Sequence, residues 1–262
     1  MKTGALLAGC LLVPALLYGE TSVWSRIENI SQFDTPHGNP QLEAYLKSLT
    51  RPQMLDAVRE CCIKAEERVP KEQWAEGVVP AALAMVNYGN REGGLPDDAL
   101  SLLLDCIASE QEGELFRETM LRLLRQRFWE QMTDDQRGQS RLRFLAVLSD
   151  KKAPERLRVL SCRELAHATN EHYRRVIISD KNVRPLRSDK QKWQRVDDLI
   201  RTGEVRLESE TRKALNALRD EIANITPTLT ALSKDAAESA EVKDCARSAL
   251  KTFDDLPAVP EI

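Results

Sequence analysis

Aromatic residues are scarce in this chain, at 5% of 262 positions. That scarcity weighs against a carbohydrate-binding cleft or a β-sandwich core, both of which rely on packed rings. No stretch alternates apolar and polar residues at period two, so no sheet is expected. Glycine and proline number only 11 and 12, which suits a folded helical protein better than a disordered one. Neither sign of charge prevails. The net charge of −3 argues against a dedicated nucleic-acid binder, which carries a large positive excess.

Recognisable catalytic signatures are missing as well. The chain has no Gly-x-Ser-x-Gly elbow, no phosphate-cradling glycine loop and no His-Glu-x-x-His helix. Two carboxylates could hydrolyse a glycoside without a local motif, but sugar rings are commonly held by aromatic stacking. Only His37, His167 and His172 are present. Glu164-Leu-Ala-His167, with Glu171 further along the same face, half-resembles a di-iron ligand pair, yet no second copy of the motif exists. No Cys-x-x-Cys pair occurs, which disfavours a zinc ribbon or thioredoxin site. Cys61, Cys62, Cys106, Cys162 and Cys245 read instead as small buried hydrophobes, with one disulfide open to an oxidising compartment. The expectation is a non-enzymatic protein with no cofactor and no metal.

The amino terminus carries the clearest local signal. Lys2 precedes an apolar run from Gly4 to Tyr18, too short for the roughly 20 residues of a membrane-spanning helix. It fits the apolar region of a secretory leader, with Gly19 a small residue suited to cleavage. Residues 1–19 are therefore expected to be a signal peptide, and the protein to be exported, periplasmic or secreted. Leu7-Ala8-Gly9-Cys10 resembles a lipobox, but Cys10 is followed by apolar rather than polar sequence. Membrane attachment is expected only if Cys10 is lipidated, which would favour the alternative of a structural envelope lipoprotein.

Residues 20–40 are dense in turn formers, notably Asp34-Thr-Pro-His-Gly-Asn-Pro40, and read as irregular. From residue 41 to 253 helical periodicity dominates. Residues 254–262, with Pro257 and Pro260, read as a flexible tail. Within the helical region a two-helix unit recurs. Its second helix starts with an apolar residue and a cation: Val58-Arg59, Phe116-Arg117, Leu157-Arg158, Val242-Lys243. The preceding helix closes at Leu49, Ile107, Leu148 and Leu232, with gaps of 9, 9, 9 and 10 residues to those anchors. Polar, turn-forming bridges fill the gaps.

The last unit, Ile225-Thr-Pro-Thr-Leu-Thr-Ala-Leu-Ser-Lys-Asp then Glu241-Val-Lys-Asp-Cys-Ala-Arg-Ser-Ala-Leu250, resembles a HEAT repeat. The resemblance implies an all-α, right-handed α-α superhelix of the HEAT or armadillo-like kind, with about four to six helical hairpins. It also implies a concave face for a partner, here a protein or envelope component. The anchors are spaced by 58, 41 and 85 residues. One period explains 41 and two explain 85, while 58 calls for an extra helix over Trp74–Tyr88, broken at Pro80. A compact helical bundle is the alternative.

The strongest charge feature is Arg174, Arg175, Lys181, Arg184, Arg187, Lys190, Lys192 and Arg195, with Trp193 among them. These are the candidate anion- or partner-binding residues, set against a solvated inter-helix loop. They also keep open a HEAT-like nucleic-acid enzyme of the DNA glycosylase kind, although overall acidity disfavours phosphate binding.

Overall fold

The computed structural model describes residues 40–68, 70, 71, 85, 88, 89 and 94–256. The expected leader, nearly all of the irregular segment 20–40, most of the extra helix over Trp74–Tyr88 and the last six residues of the chain lie outside the described residues.

Ten α-helices follow one another among these residues: α1 (Pro40–Ser48), α2 (Arg51–Arg68), α3 (Asp97–Ala108), α4 (Glu114–Leu123), α5 (Asp134–Ser149), α6 (Glu155–Ser179), α7 (Lys190–Gln194), α8 (Val196–Arg201), α9 (Ser209–Lys234) and α10 (Ala240–Asp254). No strand occurs among the described residues, so the fold is all-α. Helix boundaries follow local chemistry. Thr133 and Gln136 form a reciprocal capping box at the start of α5, satisfying two amides that the helix itself cannot. Ser239 caps α10 by accepting from the Val242 amide. Asp97 and Asp98 place negative charge at the positive end of α3.

Three hairpins, α3–α4, α5–α6 and α9–α10, are each closed by a five-residue bridge. Two bridges share one device: Asp150 accepts from the Lys152 amide and Asp235 from the Ala237 amide, both at 2.9 Å. These Asx turns reverse the chain while keeping an amide in each bridge hydrogen-bonded. Second helices pack on one another in order, α2 on α4, α4 on α6, and α6 on α10. First helices do likewise, α3 on α5 and α5 on α9. The anchors Val58, Phe116, Leu157 and Val242 are all buried in one continuous core, as are Leu49, Ile107, Leu148 and Leu232.

The interval from Leu157 to Val242 holds no second hairpin of repeat length, which corrects its reading as two periods. Instead α6 runs for 25 residues and α9 for 26, against 16 for α5 and 15 for α10. Between them lie a 3-10 turn (Arg184–Ser188) and the short helices α7 and α8. The extended ends need cover, and the insertion supplies it. Tyr173 and Ile177 from α6, Val183, Val196, Ile200 and Leu207 from the insertion, and Leu215 and Leu218 from α9 form a second, smaller core. Ile222 packs against both cores.

Candidate functional site

The cation that follows each anchor is structural in two units. Arg117 Nε donates to the Ile107 carbonyl at 2.9 Å, and Arg158 Nε donates to the Leu148 carbonyl at 2.8 Å. Each thus satisfies a carbonyl left open at the end of the hairpin's first helix. Arg158 also reaches the next unit, giving Glu238 two hydrogen bonds of 2.8 and 2.9 Å. Arg59 does the same to Glu112 with bonds of 3.0, 3.0 and 2.6 Å. Glu112 and Glu238 both stand four residues before the anchor of the following helix. The corresponding position for Arg117 is Ala153. No carboxylate among the described residues bonds to that guanidinium, and burial holds its pKa below the usual arginine range. First helices carry a matching link: buried Arg141 on α5 donates to both oxygens of Glu221 on α9, at 2.5 and 2.7 Å.

Along the second helices lies a cleft of about 550 Å³, walled by α4, α6 and the start of α10. Lys71, Arg122, Arg156 and Arg163 line it together with Glu114, Glu155 and Glu241, and Val159, Leu160 and Pro154 form its apolar part. Lys71 is tied to Glu114 at 2.7 Å. Glu118, one turn beyond Glu114 on α4, is buried, with Arg156 Nε 3.0 Å from its Oε1 and Arg122 4.0 Å from its Oε2. Burial raises its carboxyl above the ordinary value, while Arg156 and Arg122 oppose the shift. The lining offers charges of both signs beside a short apolar strip. That chemistry suits a segment of mixed polarity rather than a bare anion.

The basic tract is divided by the structure. Arg174 pairs with Asp197 at 2.7 Å, Arg175 with Glu130 and Glu171 at 3.0 Å, and Lys181 with Glu208 at 3.0 Å. Lys192 lies 3.9 Å from Asp189. Trp193 packs against the smaller core, which gives it a structural task. Arg184, Arg187, Lys190 and Arg195 are exposed and make no ion pair among the described residues. Thus five of the nine candidates are engaged within the fold, and four cations remain open to solvent.

Within the Glu164, His167 and Glu171 set, the two carboxylates share one guanidinium. Arg125 stands over the Trp129 ring at 4.7 Å and takes both carboxylates, Glu164 at 3.4 Å and Glu171 by a short ion pair. His167 is exposed. Among the described residues, no cluster of three or more His, Cys, Asp or Glu side chains could hold a metal ion. No described helix is long and apolar enough to cross a membrane. No protein family, curated protein or solved structure matches this chain.

The cleft is not apparent in the sequence. Its residues come from four separate segments and carry no motif. The acids four residues before an anchor, Glu112 and Glu238, mark contacts between successive units but do not line the cleft.

Proposed function

We propose that this chain is an exported, non-catalytic binding module built as a HEAT-like right-handed solenoid, and that the cleft along its second helices receives a segment of a protein partner. The observation that carries the reading is the ordered packing of second helix on second helix and first helix on first helix. A closed bundle would instead bring the first and last hairpins together around one axis. The arginine-to-glutamate links from one unit to the next favour the same arrangement. A cleft of about 550 Å³ is large enough for several side chains of an extended segment.

Site-specific photo-crosslinking in the native host tests the reading. A photoreactive residue at Glu241, exposed at the cleft, is expected to capture a defined partner, and Arg163→Glu is expected to reduce that product. The same residue at Glu210, exposed on α9, serves as the control. Equal products at both positions, or none at Glu241, would remove the cleft as a binding site.

One alternative has its own support. Arg184, Arg187, Lys190 and Arg195 form an exposed set of cations outside any ion pair among the described residues, which favours an anionic polymer such as nucleic acid. Binding of duplex DNA that weakens steeply with salt, and is lost when these four become glutamine, would favour that reading over the protein partner.

A further inference from the structure

The five described cysteines are not equivalent. Cys61, Cys62 and Cys106 are buried, and burial pushes all three thiols up, that of Cys62 to about 12. Cys61 and Cys62 are neighbours on α2, so their side chains diverge by about 100° around the helix. Cys162 on α6 and Cys245 on α10 stand apart from this group. Their helices pack against each other, and α10 presents the small buried residues Ala246 and Ala249, which permit close approach. Cys245 Sγ donates to the Val159 carbonyl of α6 at 3.6 Å. That carbonyl lies one turn before Cys162 on the same face of α6, so Cys245 faces the turn that carries Cys162.

The pair is asymmetric. Cys162 is fully buried and Cys245 is half-buried, so only Cys245 is open to a reagent from solvent. The neighbouring Cys162 thiol, together with the Arg163 guanidinium, holds the Cys245 thiol below its ordinary value. Cys162 is shifted the other way, by Cys245 and by burial. A solvent-accessible thiol facing a fully buried one is the arrangement of an attacking and a resolving cysteine.

We propose that Cys162 and Cys245 are a thiol pair that closes to a disulfide by exchange with an external low-molecular-weight disulfide, locking α6 to α10 beside the cleft. Cys245 thiolate attacks one sulfur of the external disulfide. A bond forms between Cys245 and that sulfur, the external S–S bond breaks, and the first thiolate departs. Cys162 then attacks Cys245 Sγ, its proton passing to the second departing thiolate. Two protein thiols lose two electrons and two protons, and one external disulfide becomes two thiols. The proposal does not depend on the partner-binding reading.

The test uses the full chain equilibrated in glutathione redox buffers, quenched with an alkylating agent and digested without reduction. Oxidising buffer is expected to yield a linked peptide joining Cys162 to Cys245, while Cys61, Cys62 and Cys106 stay alkylated. Oxidation is expected to raise Tm by on the order of 5–10 °C, reversibly with dithiothreitol. Cys162→Ser is expected to trap glutathione on Cys245, and Cys245→Ser to take up none at Cys162. Far-UV circular dichroism checks that both variants are folded. If either fails to fold, the linked peptide in the unaltered chain decides. Any other pairing among Cys61, Cys62, Cys106, Cys162 and Cys245, or all five of them free under oxidising conditions, would overturn the proposal, as would a folded Cys162→Ser protein carrying no adduct.

Discussion

Replacing Arg158 by methionine should be the most informative single substitution for the fold. Arg158 joins three things: the open Leu148 carbonyl at the end of α5, its own helix α6, and the Glu238 carboxylate in the turn before α10. Methionine keeps much of the apolar stem but removes every donor. Glu238, whose side chain is only 4% exposed, would keep just Lys151 at 3.9 Å. Leaving a covered charge without its partner costs roughly 3–5 kcal/mol. The pair lies just under the surface beside Lys151, which is 62% exposed, so the lower end applies, about 3 kcal/mol. For a chain of this size that corresponds to a Tm drop of about 6–12 °C. Replacing both partners by methionine should recover most of the loss, leaving about 1 kcal/mol for the abandoned Leu148 carbonyl. Urea unfolding followed by circular dichroism would measure all three states. An Arg158→Met protein within about 1 kcal/mol of the unaltered chain, or a double variant less stable than the single one, would refute the argument. The pH dependence gives a second reading. The hydrogen bonds from Arg158 hold the Glu238 carboxyl below its ordinary value of 4.5. Its contribution is therefore present above that pH and is lost as pH falls through the depressed folded value. Glu238→Gln should flatten the acid limb of the stability curve.

Further outcomes follow from the same contacts. Ala153→Glu places an acid where Glu112 and Glu238 stand in neighbouring units, and should stabilise the chain by about 1 kcal/mol, but destabilise it when Arg117 is methionine; paired urea titrations read the sign. The His172 imidazole is held below its ordinary value of 6.5 by burial and then by Arg141, against Asp134 and Glu221. Stability should fall as pH drops below that value, because the unfolded chain binds the proton first, and His172→Gln should reduce the slope. Phe144 is fully buried against Trp129, with ring centroids 6.4 Å apart. Phe144→Ala should cost about 3–5 kcal/mol and shift the tryptophan emission, both measurable in one fluorescence titration.

Much of the helical region was legible because a buried stripe must repeat with the helix. Val58, Phe116, Leu157 and Val242, and the residues that close the preceding helices, all fall in the core. The cation after each anchor was visible too, but not its task. Whether Arg117 or Arg158 faces water or a carbonyl depends on where the previous helix ends in space. The long interval misled for a related reason. Helical periodicity in α6 continues past the usual end of a repeat helix, and nothing in the local pattern distinguishes one long helix from two shorter ones. In residues 174–195 the sequence shows the cations but not which of them have acidic partners. Glu130, Asp197 and Glu208, which pair with Arg175, Arg174 and Lys181, come from other segments. Trp193 is apolar cover for the smaller core, a need created only by the extended ends of α6 and α9. The cleft depends on three helices at once, so no local stretch of sequence announces it.

Native-state hydrogen exchange on a Val242→Ala protein tests most directly whether the units are stacked in a line. Val242 is fully buried at the anchor of α10. If stability passes only between neighbours, amides of α9 and α10 should lose protection strongly, those of α5 and α6 partly, and those of α3 and α4 hardly at all. A uniform loss across α3 to α10 would contradict the stacked arrangement and favour a single closed bundle.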